Sequence, residues 1–263
     1  MNPIPFSPKK IAVIAKNAFR EAVRDRILYN LVVFVLLITA SAIFLGELTA
    51  GQEAKVIVDL GLSAMLIFGA FIAIFVGVGL VWKEIEKRTV YSIFSKPIFR
   101  AEFIIGKYLG LCLTLLVNVV LMGVGVTLAI VYVGGSRLIP GVWSAVVLIY
   151  LELIVLTAVA IMFSSFSTPA LSALLTFLVF VIGHFSSALK MVAADMGSAS
   201  ARHFFTLIYY LFPNLSHFSF ITETANGLGV PRLMMAQSFL LAVVYSVILL
   251  SVSVMVFSRR NFK

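Results

Sequence analysis

Apolar residues fill this chain in long runs, and the polar positions between them divide it into segments. The first repeating pattern has helical spacing. Ile11, Ile14, Ala15, Ala18, Phe19, Ala22 and Val23 recur every 3.6 residues, with Lys16, Arg20 and Arg24 on the opposite side. Residues 9–26 are therefore expected to form an amphipathic helix lying in a membrane interface. Pro3, Pro5 and Pro8 keep the preceding stretch extended. Apolar runs follow at about 27–45, 60–82 and 104–133, each reaching the roughly 20 residues that a 30 Å hydrocarbon core requires. Residues 142–189 are apolar almost throughout, more than twice the length of one crossing. Only Ser164-Ser165-Phe166-Ser167-Thr168-Pro169 offers a place to fold back, which predicts a tight hairpin of two spans. A final run at about 233–257 completes six spans. Before it, residues 190–231 mix polar and apolar positions. His203 to Phe212 is too short to span and is stopped by Pro213, so two short helices are expected in, or dipping into, the outer interface.

Composition supports this pattern. Of 263 residues 62% are hydrophobic and 12% charged, with a mean hydropathy of +1.12; soluble domains have about 45–50% and about 25%. The chain reads as one all-α transmembrane domain over 1–263: six spans, an interfacial N-terminal helix and a short outer helical pair before the last span. No cleavable signal peptide is expected. The net charge of +9 sits beside the span ends, where it sets topology and meets anionic lipid; this argues against nucleic acid. With the N-terminus inside, 15 of the 20 Lys and Arg residues fall on the inner side. Both termini and the stretch 83–103 are then cytoplasmic, and 190–231 faces outward.

Chemistry-bearing residues are few. Cys112 is the one cysteine, and His184, His203 and His217 have no partner at helical i,i+4 spacing, so neither a disulfide framework nor a metal site is expected. No Ser–His or paired-Asp arrangement suggests catalysis. Three polar residues fall inside predicted spans: Glu152, Asn118 and His184. An intramembrane carboxylate costs at least a few kcal/mol, so Glu152 should face protein or water, either as part of a substrate pathway, as a proton site, or as a protonated group bonded to a neighbouring helix. Asn118 and His184 suit helix–helix hydrogen bonds or the same pathway. Small residues at Gly69, Ala70, Ala73 and Gly77, at Gly106 and Gly110, and at Gly123 and Gly125 suit close helix packing.

The densest charge lies between the second and third spans: Lys83-Glu84-Ile85-Glu86-Lys87-Arg88-Thr89, then Ser95-Lys96-Pro97-Ile98-Phe99-Arg100 and Gly106-Lys107. The positive-inside rule accounts for the basic residues, but not for Glu84 and Glu86. Mixed charge with a short helical pattern suggests docking on a partner surface. Taken with Phe19-Arg20-Glu21, Arg24-Asp25-Arg26 and the closing Arg259-Arg260-Asn261-Phe262, this insert resembles that of the permease subunit of a type-2 ATP-binding-cassette exporter. The resemblance covers the whole chain, with Arg88 standing where many relatives have Gly. It implies a permease in the inner, cytoplasmic membrane, paired with a second copy and moving substrate outward. No G-x-x-x-x-G-K-[ST] loop is present, so ATP and Mg are expected on a separate ATPase subunit and not on this chain. The resemblance further implies that Glu84, Glu86, Lys87, Arg88 and Thr89 meet that ATPase, with Arg20, Glu21 and Arg24 as a second contact. A rival reading is a subunit that passes ATPase motion to a periplasmic or membrane partner without transport. The short outer segments weigh against it.

Overall fold

The structure, a computed structural model, describes residues 7–23, 51–86, 99–186 and 199–259, together with positions 33, 34, 37, 38, 40, 41, 44, 188, 191 and 192. Side chains are described for these except at 81, 83–86, 199, 201, 208, 210, 211 and 259. Among the described residues every regular element is helical. α1 is Pro8–Ala22, α2 Glu53–Glu86, α3 Arg100–Tyr132, α4 Ile139–Ser164, α5 Pro169–His184, α6 Ala199–Leu211, α7 Ile221–Ala225 and α8 Arg232–Arg259, with 3-10 turns at Ser136–Leu138 and Leu215–Phe218.

Among the described residues, four helices are long and apolar enough to cross a membrane, through Glu53–Leu80, Arg100–Tyr132, Ser136–Ser164 and Arg232–Ser258. α5 is apolar but has 16 residues, or about 24 Å. The predicted hairpin is present: α4 ends at Ser164 and α5 starts at Pro169, a residue suited to the first turn of a helix. The first predicted span lies mostly outside the described residues. At its described positions, Phe34 meets Phe68 edge-on at 6.2 Å and Ile38 lies against Gly61. These contacts step forward on one segment and back on the other, so the segment runs antiparallel to α2.

Several element ends differ from the sequence expectation. α2 starts at Glu53, because Ile57 and Val58 are already buried in the core and draw the polar stretch into the helix. It continues unbroken to Glu86, since no Gly or Pro interrupts positions 81–86. Its 34 residues span about 50 Å, well beyond a 30 Å core. The stretch before α8 contains α6, then a turn that folds into the bundle: Leu215 and Phe218 are buried in one cluster with Leu148, Leu151 and Val155 of α4 and Ala242 of α8.

Close approaches of glycines set the helix directions. Added side chains at Gly69 and Gly77 of α2 would strike Leu153 and Ala160 of α4, so these helices run in the same sense. Gly61 faces Val126 and Gly77 faces Leu111, so α3 runs against α2. One end of the bundle gathers the start of α2, the α3–α4 turn and the stretch 221–229: Gly135 abuts Ala54, and Gly141 abuts Thr224. Gly134, at φ +77, ends α3 there, and the Gly135 N–H returns to the Ile130 carbonyl at 2.9 Å. The opposite end gathers α1, the start of α3 and the end of α8.

α1 sits in a groove on α3. The apolar face predicted for residues 11–22 is the packed one, with Ala18 and Ala22 fully buried. A Cβ on Gly106 would lie 2.6 Å from Ile14, and one on Gly110 would lie 2.6 Å from both the Ala15 carbonyl oxygen and the Ala18 Cβ. Backbone cannot step aside, so Gly110→Val is expected to cost about 1–3 kcal/mol and to loosen α1. Thermal unfolding in detergent and protease sensitivity of residues 7–23 check this. Gly229→Ala, where nothing lies within 4 Å of the added atom, should leave both unchanged.

Candidate coupling site

The start of α3 directly follows residues 87–98 in the sequence, and it contacts both α1 and the end of α8. Glu102 stands in the first turn, where the exposed N–H groups of a helix favour a carboxylate. It is fully buried. Its Oε2 accepts the Phe99 N–H at 3.0 Å, and its Oε1 accepts the Ser7 N–H at 2.7 Å, just ahead of α1. Lys107, one turn on, is also buried. Its Nζ pairs with Glu21 Oε2 of α1 at 3.2 Å and lies 5.8 Å from the centre of the Phe103 ring. Contacts therefore advance together, Ser7 with Glu102, Ile14 with Gly106 and Ala18 with Gly110. α1 runs along the first turns of α3 in the same sense.

The far end of α8 is held from the same place. The Arg100 guanidinium donates to the Phe257 carbonyl at 3.0 Å and to the Ser258 carbonyl. These are carbonyls that a helix end leaves without an intrahelical partner, and a cation there also meets the negative end of the helix dipole. The rings of Phe103 and Phe257 stack at 6.1 Å and 18°. Three charged residues within eight positions thus clamp α1 and α8 onto α3, immediately after residues 87–98.

Of the expected coupling residues, Glu84 and Glu86 lie in the last turns of α2 by their backbone. Lys87, Arg88, Thr89 and Arg24 lie outside the described residues, as do residues 87–98 and 260–263. Arg20 is exposed, and Glu21 is the α1 residue that reaches α3. Arg100 and Lys107 stand in the charge cluster of the sequence, but that cluster gives no role to them or to Glu102. The signals were Glu102 at the third position of a helix and the Gly106–Gly110 spacing.

The intramembrane candidates divide. Glu152 of α4 and His184 of α5 come together, with Oε1 and Nδ1 3.5 Å apart. Asn118 of α3 donates to the Thr114 carbonyl of its own helix at 2.9 Å, and its Oδ1 has no hydrogen-bond partner. No hydrogen bond or ion pair joins it to Glu152 or His184 among the described residues.

A search of curated proteins returned no match. A family model described as ABC-2 family transporter protein matches residues 12–262. That match spans α1, the insert and each helix through α8, and it accords with apolar spans clamped at one end around a charged segment. The chain belongs to the ABC-2 transporter family and is a multi-pass membrane subunit of such a transporter.

Proposed function

We propose that this subunit works as an exporter permease, driven by a separate ATPase that docks on the end of α2 and the insert, and that it pairs with a second copy of itself in the inner membrane. One observation carries the reading. The clamp at Arg100, Glu102 and Lys107 links the insert to both α1 and α8, so a displacement of residues 87–98 moves three helices together. α2 adds a second rigid connection, because Glu84 and Glu86 extend the helix whose Gly69 and Gly77 pack on α4.

In this mechanism ATP and Mg act on the partner subunit. Glu84 and Glu86 meet basic or N–H groups on the ATPase, Lys87 and Arg88 meet its acidic groups, and Thr89 belongs to the same contact. Arg20 and Arg24 form the lesser contact, with Glu21 held on Lys107. Closure of two ATPases pushes the inserts, the clamped helices shift as units, and substrate leaves outward between the two permeases. The apolar outer surfaces of α3 and α8, which expose Leu113, Leu121, Phe239 and Val247, would face lipid or the second copy. The cytoplasmic side is assigned to the clamp end by the excess of Lys and Arg there.

Glu84→Lys with Glu86→Lys is expected to abolish transport while the permease stays inserted, and crosslinkers at positions 84–95 should reach the ATPase. Removing one partner from a buried charged contact costs about 2–5 kcal/mol, enough to separate the subunits. Full transport by the double variant, without crosslinks, would reduce the insert to a topology signal. Sidedness is checked by single cysteines in a Cys112→Ser background: Phe166→Cys should label only from inside and Leu228→Cys only from outside. The clamp has its own test. Glu21→Lys and Lys107→Glu should each impair ATP-driven transport severalfold, and the double exchange should recover part of it. Recovery that matches neither single variant nor wild type is the expected reading; no loss in either single variant would remove the pair from the mechanism.

A further inference from the structure

Glu152 stands halfway along α4, about 20 Å from either end. It is fully buried, and neither carboxylate oxygen has a hydrogen-bond partner. A buried polar group left this way is costly, and a charged one more so. Among the described residues it pairs with His184, whose Nδ1 lies 3.5 Å from Oε1 and likewise has no hydrogen-bond partner. That separation is too long for a good hydrogen bond but close enough for a proton to be shared after a small shift.

The two groups differ in access. Glu152 is closed off, whereas the His184 side chain is 29% exposed. The imidazole lies between the Phe180 and Phe185 rings, at 5.8 and 6.2 Å. The residues beside it are held by the inward turn: Gly183 abuts the Pro213 carbonyl oxygen and Leu215, and the Ser186 hydroxyl donates to Asn214 Oδ1 at 2.5 Å. His184 thus sits where buried carboxylate, apolar hairpin and polar outer turn meet.

Other ionisable groups on the surrounding elements are accounted for. Among the described side chains, α2 carries Glu53, Lys55 and Asp59; α3 carries Arg100, Glu102, Lys107, Tyr108, Cys112 and Tyr132; the 136–138 turn carries Arg137; α8 carries Arg232 and Tyr245; and the 199–229 segment carries Arg202, His203, Tyr209, His217 and Glu223. Tyr150 of α4 donates to the Cys112 carbonyl at 3.2 Å. None of these forms an ion pair or hydrogen bond with Glu152 or His184 among the described residues.

We propose that Glu152 and His184 form an exchangeable proton site inside the permease, reached through the partly exposed His184 side chain. A proton from water binds Nε2 of His184, the Nδ1 proton passes to Oε1 of Glu152, and the imidazole is left neutral with its proton on Nε2. One proton is bound and one carboxylate neutralised. Imidazole suits this task because its charge ordinarily changes between about pH 5 and 8. The site is independent of nucleotide chemistry and of the insert.

Infrared difference spectra of the purified full chain in lipid nanodiscs, taken from acid to alkaline pH, test it without any ATPase. The wild type should show a protonated-carboxyl band that changes with pH. Glu152→Gln should lose that band, and His184→Gln should displace its titration. A wild-type spectrum matching Glu152→Gln at each pH, or a titration unmoved by His184→Gln, overturns the proposal. If Glu152→Gln does not fold, the His184→Gln comparison decides alone, since His184 touches no other described carboxylate. Neither result bears on coupling to the ATPase.

Discussion

A carboxylate removed from water needs partners, and the structure meets this need at Glu102 by using two segments that are far apart in sequence. One oxygen takes the N–H that opens α3, and the other takes the N–H just ahead of α1. The bond is therefore both a helix cap and a tether between segments 95 positions apart in sequence. Lys107 repeats the arrangement one turn later with a side-chain partner. Because both groups are buried, loss of either contact leaves a charge with poor solvation. The joint is accordingly stiff, in a protein whose other helix contacts are mainly apolar and tolerant of sliding.

α4 is the other organising element. It is buried on most of its circumference, between α2, α3, α5 and α8, and this fits its lack of a polar face. In lipid, apolar side chains gain little from meeting each other, so close approach depends on small residues. Gly69 and Gly77 supply it on α2, and Gly123 supplies it on α3. The Ser164 hydroxyl adds a hydrogen bond to the Val78 carbonyl at 3.0 Å near the clamp end. α8 touches this core along one side and exposes most of the rest, so Arg100 and the Phe103–Phe257 stack fix the position of its end.

Much of this was legible in the residue pattern. The α1 face, the Ser164–Pro169 hairpin and the Gly134 turn follow from local periodicity and turn chemistry. Helix ends were less legible. Hydropathy marks where lipid ends, whereas the helix of α2 runs on through the charged positions to Glu86. The clamp was illegible as a unit. Arg100 binds backbone carbonyls, which no side-chain motif announces, and Glu21 with Lys107 or Ser7 with Glu102 are pairings that only the folded chain creates. Glu152 and His184 stood out singly because ionisable residues at membrane depth are rare. Their meeting follows from the hairpin, since they lie at similar distances on either side of its turn.

Arg100 also imposes an order on biosynthesis. The carbonyls it binds, at Phe257 and Ser258, are synthesised after both α1 and α3. Until then the start of α3 lacks one of its two helices. The joint is complete only once translation has passed α8, so a chain cut short before Phe257 leaves the Arg100 guanidinium without these two acceptors.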